Sequence, residues 1–270
     1  AVGFRSLTAS TSGTNNVAIG APAGVAITSG SQNIAIGNTA MNANSTGSDN
    51  VAVGNNSMAV TTSSFNNAHG SNSLASNTTG ANNTAMGHQA MAANTTASNN
   101  TAMGYRAMAA NTTGTNNVAI GAPAAVALTT GNQNIAIGNS SLNTNSTGTD
   151  NIAIGNNALA TGTTSFNNAI GSSALAANTT GTNNTAIGYQ TLTTSTTANN
   201  NTAVGNRAAA VTTTGSNIVA VGYQALASNT TAGNNTAIGY QSLTSNTTAQ
   251  NNTAVGARAL PSTTTGGENT

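Results

Sequence analysis

Residues 234–241 read NNTAIGYQ, and the same eight residues recur at 183–190, with NNTAMGHQ at 82–89 and NNTAMGYR at 99–106. Taking the Gly of each copy as origin gives Gly3, Gly20, Gly37, Gly54, Gly70, Gly87, Gly104, Gly121, Gly138, Gly155, Gly171, Gly188, Gly205, Gly222, Gly239 and Gly256. The step is 17 residues except for the two steps of 16 that end at Gly70 and Gly171. Sixteen copies fill residues 1–270, so the octapeptide is the unit of construction and the chain reads as a single repeat domain. It opens on AVGFRSL and closes on GGENT, both within the pattern, and so reads as a fragment of a longer fibrous protein.

A longer period overlies the first. Residues 15–58 match residues 116–159 at an offset of 101, which also relates Arg5 to Arg106 and Arg207, Asp49 to Asp150, Pro22 to Pro123 and Phe65 to Phe166. Duplication of a six-coil block accounts for the recurrence of these rare residues without a functional site.

Within one unit, Asn-Asn precedes Thr, Val or Ile, then Ala, then Ile, Val or Met, then Gly. This alternation has the side-chain period of a short strand. A second segment, with Leu or Met four residues after most of the Gly origins, reads as a second strand. Asn-Thr-Thr-Gly and its relatives carry turn chemistry, because Gly accepts positive φ and Asn and Thr bond nearby backbone. A helix is excluded by the lack of apolar residues at intervals of three to four and by the β-branched residues, Asn and Gly in every unit. One coil of this kind buries too little to fold alone, so coils must stack, strand on strand, about 4.8 Å apart. The expected fold is therefore all-β, a parallel β-solenoid or β-roll of about sixteen 17-residue coils.

Two columns stand out when the coils are stacked in register. Asn lies four residues before nearly every Gly, as Asn16, Asn33, Asn50, Asn83, Asn100, Asn117, Asn151 and Asn184, with Ile218 as the exception. Such a column can form a structural ladder of side-chain amides. Ala lies two residues before every Gly, and Ala, Ser or Thr three residues after it. The expected arrangement places Ile, Val or Met and Leu or Met inside, leaving both small-residue rows as a smooth outer face for packing another rod. The alternative is an interior too narrow for anything larger than Ala.

Composition limits the partners. Four Arg, no Lys and three acidic residues give a net charge of +1 and 3% charged residues, which offers no basic face for nucleic acid. No Cys is present for disulfides or thiolate metal sites. No apolar run is long enough to insert this segment in a membrane. The two His, His69 and His88, and three carboxylates, Asp49, Asp150 and Glu268, are scattered through the repeat, so neither a metal site nor a catalytic residue is expected, nor a cofactor, and the chain is not read as an enzyme. Phe65 and Phe166 fall in the two shortened units, where they are expected to plug a packing gap. The Thr-Thr rows raise an ice-binding surface, which is disfavoured because adjacent strand residues face opposite ways.

NNVAIG at 15–20, QNIAIG at 32–37 and DNVAVG at 49–54 resemble the head repeats of YadA-type trimeric autotransporter adhesins, and the longer NTAIGYQSLTSNTT resembles repeats of phage tail fibres and large bacterial surface proteins. The resemblance implies a left-handed parallel β-roll, a homotrimer and an extracellular place on a bacterial surface, or on a virion as a tail fibre. It also implies a role in reach and surface attachment toward a host-surface protein or glycan, without enzymatic activity; a self-assembling filament is a further reading. The 17-residue unit is longer than the family's coil of fourteen or so. The variable positions just after the Gly mark a candidate recognition edge: Tyr105, Arg106, Tyr189, Gln190, Tyr223, Gln224, Tyr240 and Gln241.

Overall fold

The computed structural model describes residues 1–270, which fall into two compact units, 1–133 and 134–270. Each unit is a β-solenoid with one three-residue strand per coil and no helix. The first unit holds β1 (Val17–Ile19), β2 (Ile34–Ile36), β3 (Val51–Val53), β4 (Asn67–His69), β5 (Thr84–Met86), β6 (Thr101–Met103) and β7 (Val118–Ile120). The second holds β8 (Ile135–Ile137), β9 (Ile152–Ile154), β10 (Asn168–Ile170), β11 (Thr185–Ile187), β12 (Thr202–Val204), β13 (Val219–Val221), β14 (Thr236–Ile238) and β15 (Thr253–Val255). Within each unit successive strands pair in parallel and in register, Ala35 on Ala52 and Ala186 on Ala203, so like residues form columns.

The strand faces the opposite way from the expected one. Its central Ala is fully buried in every coil from Ala18 to Ala237, while Ile19, Met86, Met103, Ile120, Ile187 and Ile238 are 37–43% exposed. The narrow-interior alternative holds: the coil is closed so tightly around the strand that only a methyl group fits behind it. The volume inside is filled from the far wall by Met41, Met58, Leu74, Met91, Met108, Leu142, Leu175, Leu192 and their equivalents, all buried. The Leu/Met half of the expected core is thus in place, and the Ile/Val/Met half is outside. The second small-residue row, with Ala40, Ser57, Ala90 and Ala107, is buried instead of facing outward, because its neighbour Leu or Met fills the same interior.

The second expected strand is a run of turns. In the coil beginning at Gly87, Gln89, Met91 and Asn99 have φ of 57°, 48° and 62°, and the same three positions are left-handed in nearly every coil. A bulky residue in that region costs about 1–2 kcal/mol. The cost is met by the inter-coil ladder, which the turns leave intact: Met91 N–H donates to Ala107 C=O at 3.0 Å and Ala93 N–H to Ala109 C=O at 3.0 Å. The left-handed corners change the side-chain rhythm from two to three. Met91, Asn94, Ala97 and Asn100 all point inward at three-residue spacing before the alternating strand resumes at Ala102.

At the corner after the strand only Gly is tolerated. Gly54 has φ of 137°, and a Cβ there would lie 2.6 Å from the carbonyl of Gly70 in the next coil. One coil per block redistributes its core. Gly24 and Ala125 stand where Leu or Met is usual, and three residues later Ile27 and Leu128 stand where Asn is usual. Both are buried, and the Ile27 Cδ1 lies only 2.9 Å from where a Cβ on Gly24 would sit. The large side chain has moved one triplet along and still fills the same space.

Candidate recognition edge and the amide columns

The edge begins immediately after the Gly corner, where the chain leaves the strand and the side chain must project outward. Tyr105, Tyr189, Tyr223 and Tyr240 are 44–53% exposed. Stacking of the coils brings some of them together. Tyr223 and Tyr240 are stacked with centroids 5.4 Å apart and planes 11° from parallel, and the Arg258 guanidinium lies 5.8 Å from the Tyr240 centroid. Beside them, Gln241 Nε2 donates to Gln224 Oε1 at 2.9 Å. Tyr105 stacks on His88 at 5.7 Å, with Arg106 exposed next to it. Tyr189 stands apart, because the same position is Ser172 in the coil before and Asn206 in the coil after; Gln190, half-buried, donates its backbone N–H to Ser172 C=O at 3.0 Å.

These stacks run along the column, so Tyr240 is covered by Tyr223 and Arg258, Tyr223 and Tyr105 each lose one ring face to a neighbour, and only the Tyr189 ring has no stacking partner. The edge presents ring rims, hydroxyls and amides to solvent. It is well ordered by ring stacking, with a cation over the last ring. As a platform for a flat ligand it is largely used up by its own contacts.

The Asn column before the strand lies inside the coil, buried from Asn33 onward in the first unit. Asn50 donates its backbone N–H and its Nδ2 to Asn33 Oδ1, both at 3.1 Å, and Asn33 Nδ2 donates to Gly47 C=O at 2.8 Å. The arrangement repeats through Asn83, Asn100 and Asn117, starts at half-buried Asn16, and is found again at Asn151 and Asn184. Asn66 and Asn167 in the shortened coils also join it. Each side chain therefore serves two backbone groups as well as its neighbour's amide. At Ile218 the column is interrupted: Ile218 N–H still donates to Asn201 Oδ1 at 2.9 Å, but its side chain has nothing to offer Asn235 above.

A second amide column lies in the segment whose composition reads as turn. Asn44, Asn77, Asn94, Asn111, Asn145, Asn178, Asn229 and Asn246 are buried and hold the tight bend that follows, as where Gly181 N–H donates to Asn178 Oδ1 at 3.0 Å and Asn178 Nδ2 to Gly181 C=O at 2.8 Å. The signal was present in the triplet spacing from the buried Leu or Met, which a strand period obscured. Where Leu128 replaces Asn, the Oδ1 of Asn111 beneath is left without a donor.

The remaining candidates are placed as follows. His69 lies on the outward face of β4 between Val53 and Met86, and Asp49 and Asp150 occupy left-handed corners. In the Thr-Thr rows the first hydroxyl is spent on the next coil, as in Thr95 Oγ1 to Thr112 C=O at 3.1 Å, so the rows present one outward column instead of a double rank. Phe65 and Phe166 are 61% and 54% exposed and plug nothing. Comparison of the chain with protein-family models, curated proteins and solved structures finds no match in any of the three.

Proposed function

We propose that this chain is a structural segment of an extracellular fibrous adhesin in which three copies pack through their strand faces. The observation that carries the reading is the outward face of the strands. In the first unit it is formed by Val17, Ile19, Ile34, Ile36, Val51 and Val53, and in the second by Ile135, Ile137, Ile152, Ile154, Val219 and Val221. The first outward position is Thr or Asn in several coils, but the second is Ile, Val or Met in every strand except that of His69, so half-exposed apolar side chains recur along a rigid ladder as an interaction surface does. The few charges lie off this face, on the corners after the Gly and before the strand, so nothing opposes close approach of a second copy. Like chains offer identical spacing between coils, which lets the same row repeat its contact at every level of a symmetric assembly. Extension by repetition gives such a segment its reach, and the resemblance of the NNVAIG-type repeats to YadA-type heads favours three chains and a cell-surface setting.

Mass measurement of the soluble chain tests the reading. A species of three times the 26.0 kDa chain is expected, and it should collapse to the single chain in the double variant Ile36→Lys/Ile154→Lys, whose side chains lie on the outer face and leave the coil intact. A stable 26.0 kDa species of the unaltered chain at all concentrations overturns it.

A further inference from the structure

We propose that the groove beside Phe166 is a binding subsite for an uncharged pyranose sugar. The groove has a volume of about 520 Å³ and is lined by Phe166 with Thr163, Ser165, Thr180, Thr182 and Asn183. That falls within the range of about 300–1,000 Å³ usual for small-molecule sites.

The groove has a definite structural origin. The coil from Gly155 to Gly171 has 16 residues, and the missing one belongs to the Thr-Thr corner: a single residue, Thr163, separates Gly162 from Thr164, where the usual coil has two between its Asn and its small residue. Thr164 C=O then accepts from Asn151, as the small residue's carbonyl does elsewhere, but its second donor is Asn145 of the coil before, because Gly162 stands at its own coil's bend. The outward Thr of this coil is thus absent, and the next coil is uncovered. Thr179 and Thr180 are both exposed, whereas in an ordinary coil such as that of Thr95 and Thr96 only the second is.

Phe166 forms one wall of this gap and has no structural reason to be aromatic. It sits in a left-handed corner with φ of 61°, where most other coils carry Asn or Asp, which accept that conformation more readily, and the rest Gln, Glu or the equivalent Phe65. An exposed aromatic ring with no packing role, at a corner that nearly every other coil fills with a polar side chain, points to a use outside the fold. Unlike Tyr223 and Tyr240, it has no ring or cation packed on its face. Opposite it, the hydroxyls of Thr163 and Thr180 make no bond within the chain, and Asn183 offers its amide oxygen, its Nδ2 being spent on Thr182 Oγ1 at 3.3 Å. Thr182 is already engaged with Asn199 Oδ1 at 3.1 Å. One apolar face with free hydroxyls and an amide around it, and no charge, matches a pyranose with a C–H face and an equatorial hydroxyl rim. The same elements recur at the other shortened coil, where Phe65 has φ of 63° and Thr78 and Thr79 are both exposed.

The site is independent of how copies of the chain assemble, so its test can fail while the fibre reading stands. Saturation-transfer NMR on the purified chain with millimolar methyl β-D-galactopyranoside is expected to show transfer concentrated on the ring C–H protons of one face. Phe65→Asn/Phe166→Asn should reduce that transfer about tenfold while leaving the unfolding midpoint unchanged or higher, since Asn suits the corner better. Tyr223→Ser/Tyr240→Ser should leave the transfer unchanged. Absence of transfer to the unaltered chain overturns the proposal, as does transfer that survives the Phe double variant, transfer lost in the Tyr variant, or a lower unfolding midpoint in the Phe variant, which would make the rings structural.

Discussion

The two amide columns occupy the same interior and use the same residue, yet one is nearly invariant along the chain and the other is not. The column before the strand runs from Asn16 to Asn117 in the first unit without a break, whereas the column at the bend gives way to Ile27, Thr61 and Leu128 in that same unit. Their partners explain the difference. Asn83 accepts the backbone N–H of Asn100 at 3.1 Å and donates to Ala97 C=O at 2.8 Å, so it completes two backbone groups of the neighbouring coil. Asn94 also donates to Ala97 C=O, at 3.2 Å, but that carbonyl already has Asn83, and the remaining bonds of Asn94, to Asn77 Oδ1 at 2.8 Å and from Asn111 Nδ2 at 3.2 Å, join side chains only. Interior positions that complete a neighbour's backbone are fixed, and positions that share a task with another side chain are free to vary.

Truncating one member of each column in the same coil should separate the two roles most strongly. Asn83→Ala leaves the Asn100 N–H without its acceptor and weakens the hold on Ala97 C=O, and an unsatisfied buried group costs about 1–3 kcal/mol. A loss of about 3–4 kcal/mol in denaturant unfolding is therefore expected. Asn94→Ala should cost less, about 1–2 kcal/mol, because no backbone group loses its only partner and the loss falls on the side-chain amides of Asn77 and Asn111. Equal losses would mean that the two columns differ for some reason other than the backbone groups they serve.

The same distinction governs what could be read from the sequence. The period, the parallel stacking and the Asn column before the strand are legible because in-register stacking forces like residues onto like, and a repeated chemical need leaves a repeated letter. Which face of Thr236-Ala237-Ile238 points inward was not legible. Alternation fixes that the two faces differ, whereas the choice between them depends on how tightly the coil closes, which is set by left-handed corners at Gln241 and Leu243 that no Gly announces. The Asn of Asn-Thr-Thr-Gly was read as turn because Asn favours bends, which it does here too, but from inside the coil. At the candidate edge, the variable letters could be seen after each Gly, but the stacking of Tyr223 on Tyr240 that occupies their ring faces could not.

Leu128 offers a second way to sharpen the comparison, since it shows the variable column exchanging an amide for core volume. Leu128→Asn would supply the donor that Asn111 Oδ1 lacks, but would empty the space that Leu128 fills in place of a large residue at Ala125. Loss of a buried Leu with incomplete collapse costs about 2–5 kcal/mol, and one regained hydrogen bond returns about 1 kcal/mol. A net loss of about 2–3 kcal/mol is expected from the single change. Ala125→Leu alone should also destabilise, by about 1–3 kcal/mol, through overpacking against Leu128. Together the two changes recreate the ordinary coil, with Leu at the left-handed corner and Asn at the bend, and should be close to neutral. A double variant as unstable as the sum of the single ones would show that the two positions do not share one space.

The smallest effect is expected where the constant column is itself broken. Ile218 is buried in the place of an Asn, and the Asn235 amide in the coil above has no side-chain acceptor, whereas Asn252 has Asn235 Oδ1 at 2.9 Å. Ile218→Asn should restore an acceptor for Asn235 N–H and a donor for Asn201 Oδ1, which already accepts the backbone N–H of residue 218. Two regained bonds of about 1–1.5 kcal/mol each, together with relief of an unpaired buried N–H, outweigh the roughly 2 kcal/mol of apolar burial surrendered, leaving a gain of about 1 kcal/mol. The specific readout is the Asn235 amide, whose hydrogen exchange should slow toward that of Asn252. If exchange at Asn235 is already as slow as at Asn252 in the unaltered chain, the column's constancy does not come from the backbone group it serves, and the contrast between the two amide columns loses its physical basis.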